Sequence, residues 1–98
     1  MEQFLRTELL LGKDNLNKLF NAKVTVVGLG AVGSFATEML ARLGTGHLNL
    51  VDFDKVQISN INRQLYAMHS TVGRTKVSLA KERVSDINPL CKVKTIEL

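Results

Sequence analysis

A chain of 98 residues has room for one domain, and a domain of that size buries only about 60–65% of the surface its unfolded form exposes, so its stability margin is thin. With 45% hydrophobic and 22% charged residues, one proline and seven glycines, the composition excludes a disordered or fibrous chain. The formal net charge of +4 is dispersed, and four Phe, one Tyr and no Trp argue against a single-strand nucleic-acid platform built on stacked bases.

At the amino terminus Glu2, Arg6, Glu8, Lys13 and Asp14 interrupt any apolar run, so neither a signal peptide nor a membrane span can be drawn, and a cytoplasmic protein is expected. Residues 6–20 place Leu9, Leu10, Leu16 and Leu19 on helical turns, with Gly12 as a break between two short pieces. "KVTVVG", residues 23–28, reads as a strand buried on both faces of a parallel sheet. A helix follows over residues 34–43, where Phe35, Met39 and Leu43 recur every fourth residue beside Ala36 and Leu40; Met39 reads as core, and Gly44 stands where a helix would stop.

"HLNLVD", residues 47–52, gives a second strand. A second helix spans 75–87, with Val77, Ala80, Val84 and Ile87 on one face, and residues 92–97 alternate as a third strand. Cys91, the single cysteine, excludes an internal disulfide and any multi-cysteine zinc set; it reads as structural, and His47 and His69 have no partner at metal-ligand spacing. Strand, helix, strand, helix, strand implies an α/β fold: a Rossmann-like βαβαβ half of a doubly wound parallel sheet, preceded by a helical segment. Both crossover helices would lie on one face. The other face would need cover from the amino-terminal segment, a partner or further chain, so residues 1–98 are expected to be the amino-terminal part of a longer nucleotide-binding domain.

The glycine motif "GLGAVG" joins the first strand to its helix, and Gly28, Gly30 and Gly33 allow a tight turn and a close backbone approach to a phosphate. Asp52, about 20 residues further on, is placed to accept hydrogen bonds from ribose hydroxyls. That carboxylate suits NAD and ATP equally, because both carry the adenosine ribose. Asp54 reads either as loop support or as a residue that orients a metal.

Basic residues separate the two nucleotides, because a triphosphate under attack recruits more positive charge than a dinucleotide pyrophosphate. Arg63 sits in the polar loop "VDFDKVQISNINRQLY", where Asn60, Arg63 and Gln64 share one face of a helical turn. Arg74 and Lys76 are read in the opening turn of the second helix, against its dipole. Such a violation is expected where a ligand supplies the opposite charge, although a solvated lysine reads the same way.

Taken together, "RTELLLG", "VTVVGLGAVGS", "LVDFDKVQISNINRQLY" and "VGRTKVSLAKERVSDINP" resemble the ubiquitin-activating-enzyme-like superfamily of ATP-dependent adenylating enzymes, the group of ThiF, MoeB and HesA. The opening and the "SNINRQLYA" loop look most like the tRNA threonylcarbamoyladenosine dehydratases. The resemblance implies ATP and Mg2+, with Asp52 on the ribose and Gly28, Gly30, Ala31, Gly33, Asp54, Asn60, Arg63, Gln64 and Lys76 around the nucleotide. Arg63, Lys76 and Arg6 would carry the chemistry, Arg6 reaching in from a neighbouring subunit of a homodimer. Ala31 stands where that family commonly has glycine, and the family's magnesium aspartate and later cysteines would lie downstream.

The implied reaction is attack of a substrate carboxylate on the α-phosphate of ATP, with tRNA as the substrate in the dehydratase branch. The alternatives are the carboxyl terminus of a ubiquitin-like or sulfur-carrier protein, or a nicotinamide-dependent oxidoreductase that would leave Arg63 and Lys76 unexplained.

Overall fold

The computed structural model describes residues 2–98. A short 3-10 turn, Glu2–Phe4, runs into α1, Leu5–Leu11, and Gly12 at φ 85° redirects the chain into α2, Lys13–Asn21. Glycine is the residue that adopts a positive φ at little cost, which is why the helical segment divides there. Three five-residue strands follow, β1 Lys23–Val27, β2 His47–Val51 and β3 Lys92–Ile96. They are linked by α3, Ala31–Leu43, and α4, Lys76–Ile87. Two further 3-10 turns, Ile58–Asn60 and His69–Thr71, shape the long connection between β2 and α4.

All strand pairs are parallel, in the order β1-β2-β3, with Lys23, His47 and Lys92 in one row and Val27, Val51 and Ile96 in the last. The βαβαβ half expected from the sequence is therefore formed. Its core lies between the sheet and the two crossover helices, where Leu48 and Leu50 of β2 meet Ala41 of α3 and Val77, Ala80 and Val84 of α4. Complete burial of Leu48 and Leu50 contributes about 1.5–3 kcal/mol each. A bidentate ion pair joins the helices across this layer: Arg83 Nε donates to Glu38 Oε1 at 2.6 Å and its terminal nitrogen to Oε2 at 3.0 Å. These bonds hold the Glu38 carboxyl below its usual value, although burial opposes them, and Arg42 assists.

The amino-terminal hairpin packs at the end of the sheet where the strands begin. Phe4 and Phe20 meet edge to face at 5.3 Å, and the Gly46 and His47 amides donate to the carbonyls of Leu19 and Ala22. Gly46 has no room for a side chain, since a Cβ there would lie 1.8 Å from the Phe20 carbonyl oxygen. Among the described residues no helix is long and apolar enough to cross a membrane.

Sequence expectations are corrected at β1 and α3. β1 is covered on one face only: Val24 and Val26 face the helices while Thr25 and Val27 are open, Val27 being 79% exposed. The amino-terminal hairpin sits at the end of the sheet and leaves that second face uncovered. α3 begins at Ala31, inside the glycine motif, and not at Ser34. Its buried side is built from the small residues Ser34, Thr37 and Ala41, whereas Phe35 and Met39 are 53% and 58% exposed. Close approach of α3 to the sheet favours small side chains on that side, so the large apolar stripe faces outward and Met39 is not core. Leu9 and Leu10 are likewise exposed, with Leu16 carrying the burial of the hairpin.

Candidate nucleotide-binding site

Because the strands are parallel, their carboxyl ends share one edge, and the turn after β1, the loop after β2 and the start of α4 meet along it. Gly28, at φ 90°, extends the ladder by donating its amide to the Val51 carbonyl at 2.8 Å. Gly33 packs directly against it, for a Cβ at Gly33 would lie 1.7 Å from the Gly28 carbonyl oxygen. Ala31 is the first residue of α3, and no non-glycine residue among those described has a positive φ, so its methyl group is conformationally acceptable there.

The start of α3 carries no side-chain cap on Gly30, so its first amides, which have no intrahelical acceptor, stay free for an anion. α4 differs, since the Thr75 hydroxyl accepts the Ser78 amide there.

Asp52, 9% exposed, terminates β2 with its backbone amide on the Ile96 carbonyl. Its Oδ2 accepts the Leu29 amide at 2.7 Å and its Oδ1 the Asp54 amide at 2.7 Å. Lys76 is 5% exposed at the first position of α4; its amide donates to the Asp54 carbonyl at 3.0 Å, and its Nζ lies 3.9 Å from Asp54 Oδ2. That separation is an attraction without a hydrogen bond. A lysine whose stem is buried beside the positive end of a helix therefore retains its donors for another anion.

The loop carrying the remaining residues is folded onto α3. The Arg63 and Gln64 amides both donate to the Asn60 carbonyl, giving the helical turn expected of them. Gln64 lies over the glycine turn, its Nε2 3.8 Å from where a Cβ on Gly30 would stand. Asn60 is buried with its Oδ1 on the Gln57 amide, and the exposed Arg63 guanidinium donates to the Ser59 carbonyl and Asn62 Oδ1. Arg74 is corrected: it precedes the Thr75 cap, outside α4, and is paired with Glu82. Arg6 is distant from all of these, because α1 is anchored through Phe4 at the opposite end of the strands.

Residues with no sequence signal brace this loop. The fully buried Ser34 accepts the Leu65 amide on its hydroxyl and the Tyr66 hydroxyl on its carbonyl, while the Thr71 hydroxyl donates to the Tyr66 carbonyl at 2.6 Å. Burial pushes the Tyr66 phenol up to about 12, so it stays a donor at neutral pH. Cys91 is also buried, and its thiol is pushed up by that burial, away from the reactive range. Among the described residues no group of three or more His, Cys, Asp or Glu side chains could hold a metal.

A parallel βαβαβ half, with a glycine turn opening an uncapped helix and an acid closing the second strand, defines a Rossmann-like α/β protein with the layout of a nucleotide site. Within that class the chain belongs to the ThiF family, which it matches over residues 4–98. It is 53% identical to the tRNA threonylcarbamoyladenosine dehydratase of Bacillus subtilis over 98 residues, all of this chain and 39% of that protein. It is 48% identical over 71 residues to the molybdopterin-synthase adenylyltransferase of Salmonella typhimurium, 72% of this chain and 28% of that protein. The crystal structure of the Escherichia coli dehydratase TcdA in complex with ATP superposes with a TM-score of 0.97 at 40% identity, covering 99% of this chain and 40% of that one. The chain thus spans about two fifths of the length of these two dehydratases.

Proposed function

We propose that this chain forms the ATP-binding half of an adenylating enzyme whose substrate is threonylcarbamoyladenosine in tRNA. The carrying observation is Lys76, a buried cation at a helix start with no hydrogen-bonding anion of its own, facing the same edge as the uncapped α3 and Asp52. A triphosphate supplies the missing charge. The likeness to a dehydratase whose structure holds ATP supports the choice of nucleotide.

In this reading Asp52 accepts the ribose hydroxyls and the α3 amides cradle phosphate oxygens. Lys76 and Arg63 offset the charge that develops as the substrate carboxylate attacks the α-phosphate. The new carboxylate–phosphorus bond replaces the bond to the leaving pyrophosphate. Ring closure on the resulting acyl-adenylate then expels AMP, with net loss of water. Arg63 reaches the nucleotide by releasing its contacts to Ser59 and Asn62. Asn60 acts through its side-chain amide, since its oxygen is engaged by Gln57.

The family resemblance assigns Arg6 to the site of a second copy, and with it a homodimer; the placement of Phe4 and α1 at the far end of the strands accords with that assignment. A tRNA substrate implies the cytoplasm. Mg2+ would enter with the triphosphate, whose oxygens and bound water supply most of its ligands.

The test is ATP–pyrophosphate exchange by the complete polypeptide, with tRNA carrying threonylcarbamoyladenosine as acceptor. Exchange and AMP release that depend on this tRNA are expected. Binding of NADH with no exchange would refute the proposal. Exchange driven instead by the carboxyl terminus of a ubiquitin-like or sulfur-carrier protein would favour the alternative adenylyltransferase reading.

A further inference from the structure

We infer that Asp52 is also the positioning residue of the phosphate site, setting the glycine turn and the start of α4 through one carboxylate. The inference rests on the nucleotide reading above and adds a task that ribose binding does not require. Its two oxygens are engaged separately: Oδ2 by the Leu29 amide and Oδ1 by the Asp54 amide, both at 2.7 Å and within the short range of charge-assisted bonds. Leu29 is the central residue of Gly28–Leu29–Gly30, so the first bond fixes the peptide plane from which the free amides of α3 depart.

The second bond fixes Asp54, whose carbonyl holds the Lys76 amide at 3.0 Å and whose carboxylate stands 3.9 Å from the Lys76 ammonium. Asp52 therefore joins segments 23 residues apart in sequence on one side, and orders the backbone leading to the buried cation on the other.

Geometry leaves the ribose role intact, because each carboxylate oxygen has a second lone pair. Sugar and phosphate recognition then depend on one group. Asn at this position would offer an NH2 to one of two amide donors, so one of the two phosphate elements would lose its brace.

The experiment uses the complete polypeptide and 2′,3′-dideoxy-ATP, which has no ribose hydroxyl for Asp52 to hold. By calorimetry at fixed salt, Asp52→Asn is expected to bind this analogue about tenfold more weakly than the wild type does. Equal affinity for the analogue, with a loss confined to ATP, would make Asp52 a ribose ligand only and overturn the inference while the nucleotide reading stands. A variant that melts earlier yet binds the analogue normally would overturn it too.

A wild type that binds neither nucleotide would remove the reading on which it rests. Should Asp52→Asn fail to fold, the wild type alone decides the matter: a through-hydrogen-bond coupling between the Leu29 amide nitrogen and Asp52 Cγ is expected in the analogue complex. Its absence there overturns the inference.

Discussion

Replacing Lys76 by methionine separates binding from folding, because the structure assigns the two effects different sizes. The ammonium opposes the positive end of α4, at a cost of about 0.3–1 kcal/mol. Its one near anion, Asp54, is half exposed and 3.9 Å away, a pair worth at most about 1 kcal/mol in water. Removing the charge while keeping the buried stem should therefore change stability by no more than about 1 kcal/mol in either direction.

Loss of a charge-assisted contact to phosphate should instead cost about 1.5–3 kcal/mol of ATP affinity, roughly 10- to 150-fold. Thermal melts of the nucleotide-free polypeptide and calorimetric titration with ATP measure the two quantities on one sample. Wild-type ATP affinity in Lys76→Met would refute the reasoning. So would destabilisation well beyond 1 kcal/mol with unchanged binding, since Lys76 would then be a structural residue.

Gly33→Ala places a methyl group 1.7 Å from the Gly28 carbonyl oxygen, and should cost at least about 1–3 kcal/mol in denaturant midpoints while also weakening ATP; a neutral effect would contradict the turn geometry. Arg6→Ala and Lys76→Met should each be inactive in turnover, and mixing them after subunit exchange should restore about a quarter of wild-type activity, because half the dimers then hold one complete site. No recovery would exclude action in trans.

Glu38→Gln should cost about 1–2 kcal/mol, a figure reduced for the partial exposure of Arg83. Because Arg83 holds the Glu38 carboxyl below 4.5, its ordinary value, the contribution is complete above that pH and is lost as pH falls through the lower folded value. Melting curves of wild type and variant should therefore converge in acid, and a constant gap down to pH 2 would refute the assignment.

How much of this was legible depended on whether a residue's role leaves a spacing. Val77, Ala80, Val84 and Ile87 repeat at helical intervals, and α4 buries the first three and packs a partly buried Ile87 beside them. Gly28, Gly33 and Asp52 were recognisable because a strand, a turn and a second strand fix their separation. The same logic misread α3, where the large side chains Phe35 and Met39 outweighed the small ones that face the sheet.

Sequence also could not tell a buried lysine from a solvated one. Lys76 lies beneath the Asp54 segment while Arg74, two residues earlier, is exposed and paired with Glu82. The braces made by Ser34, Tyr66 and Thr71 had no sequence signal, because a single hydroxyl bonded to a distant backbone group produces no periodic pattern.

Leu29 has a further consequence. It stands in the middle of the glycine turn, yet its side chain is fully buried in the same cluster as Leu48 and Val77. The loop that would meet a nucleotide is thereby anchored in the oily interior, with no flexible hinge between them. Cradle and interior should therefore lose order together, so that ATP affinity and the fold decline over the same temperature range.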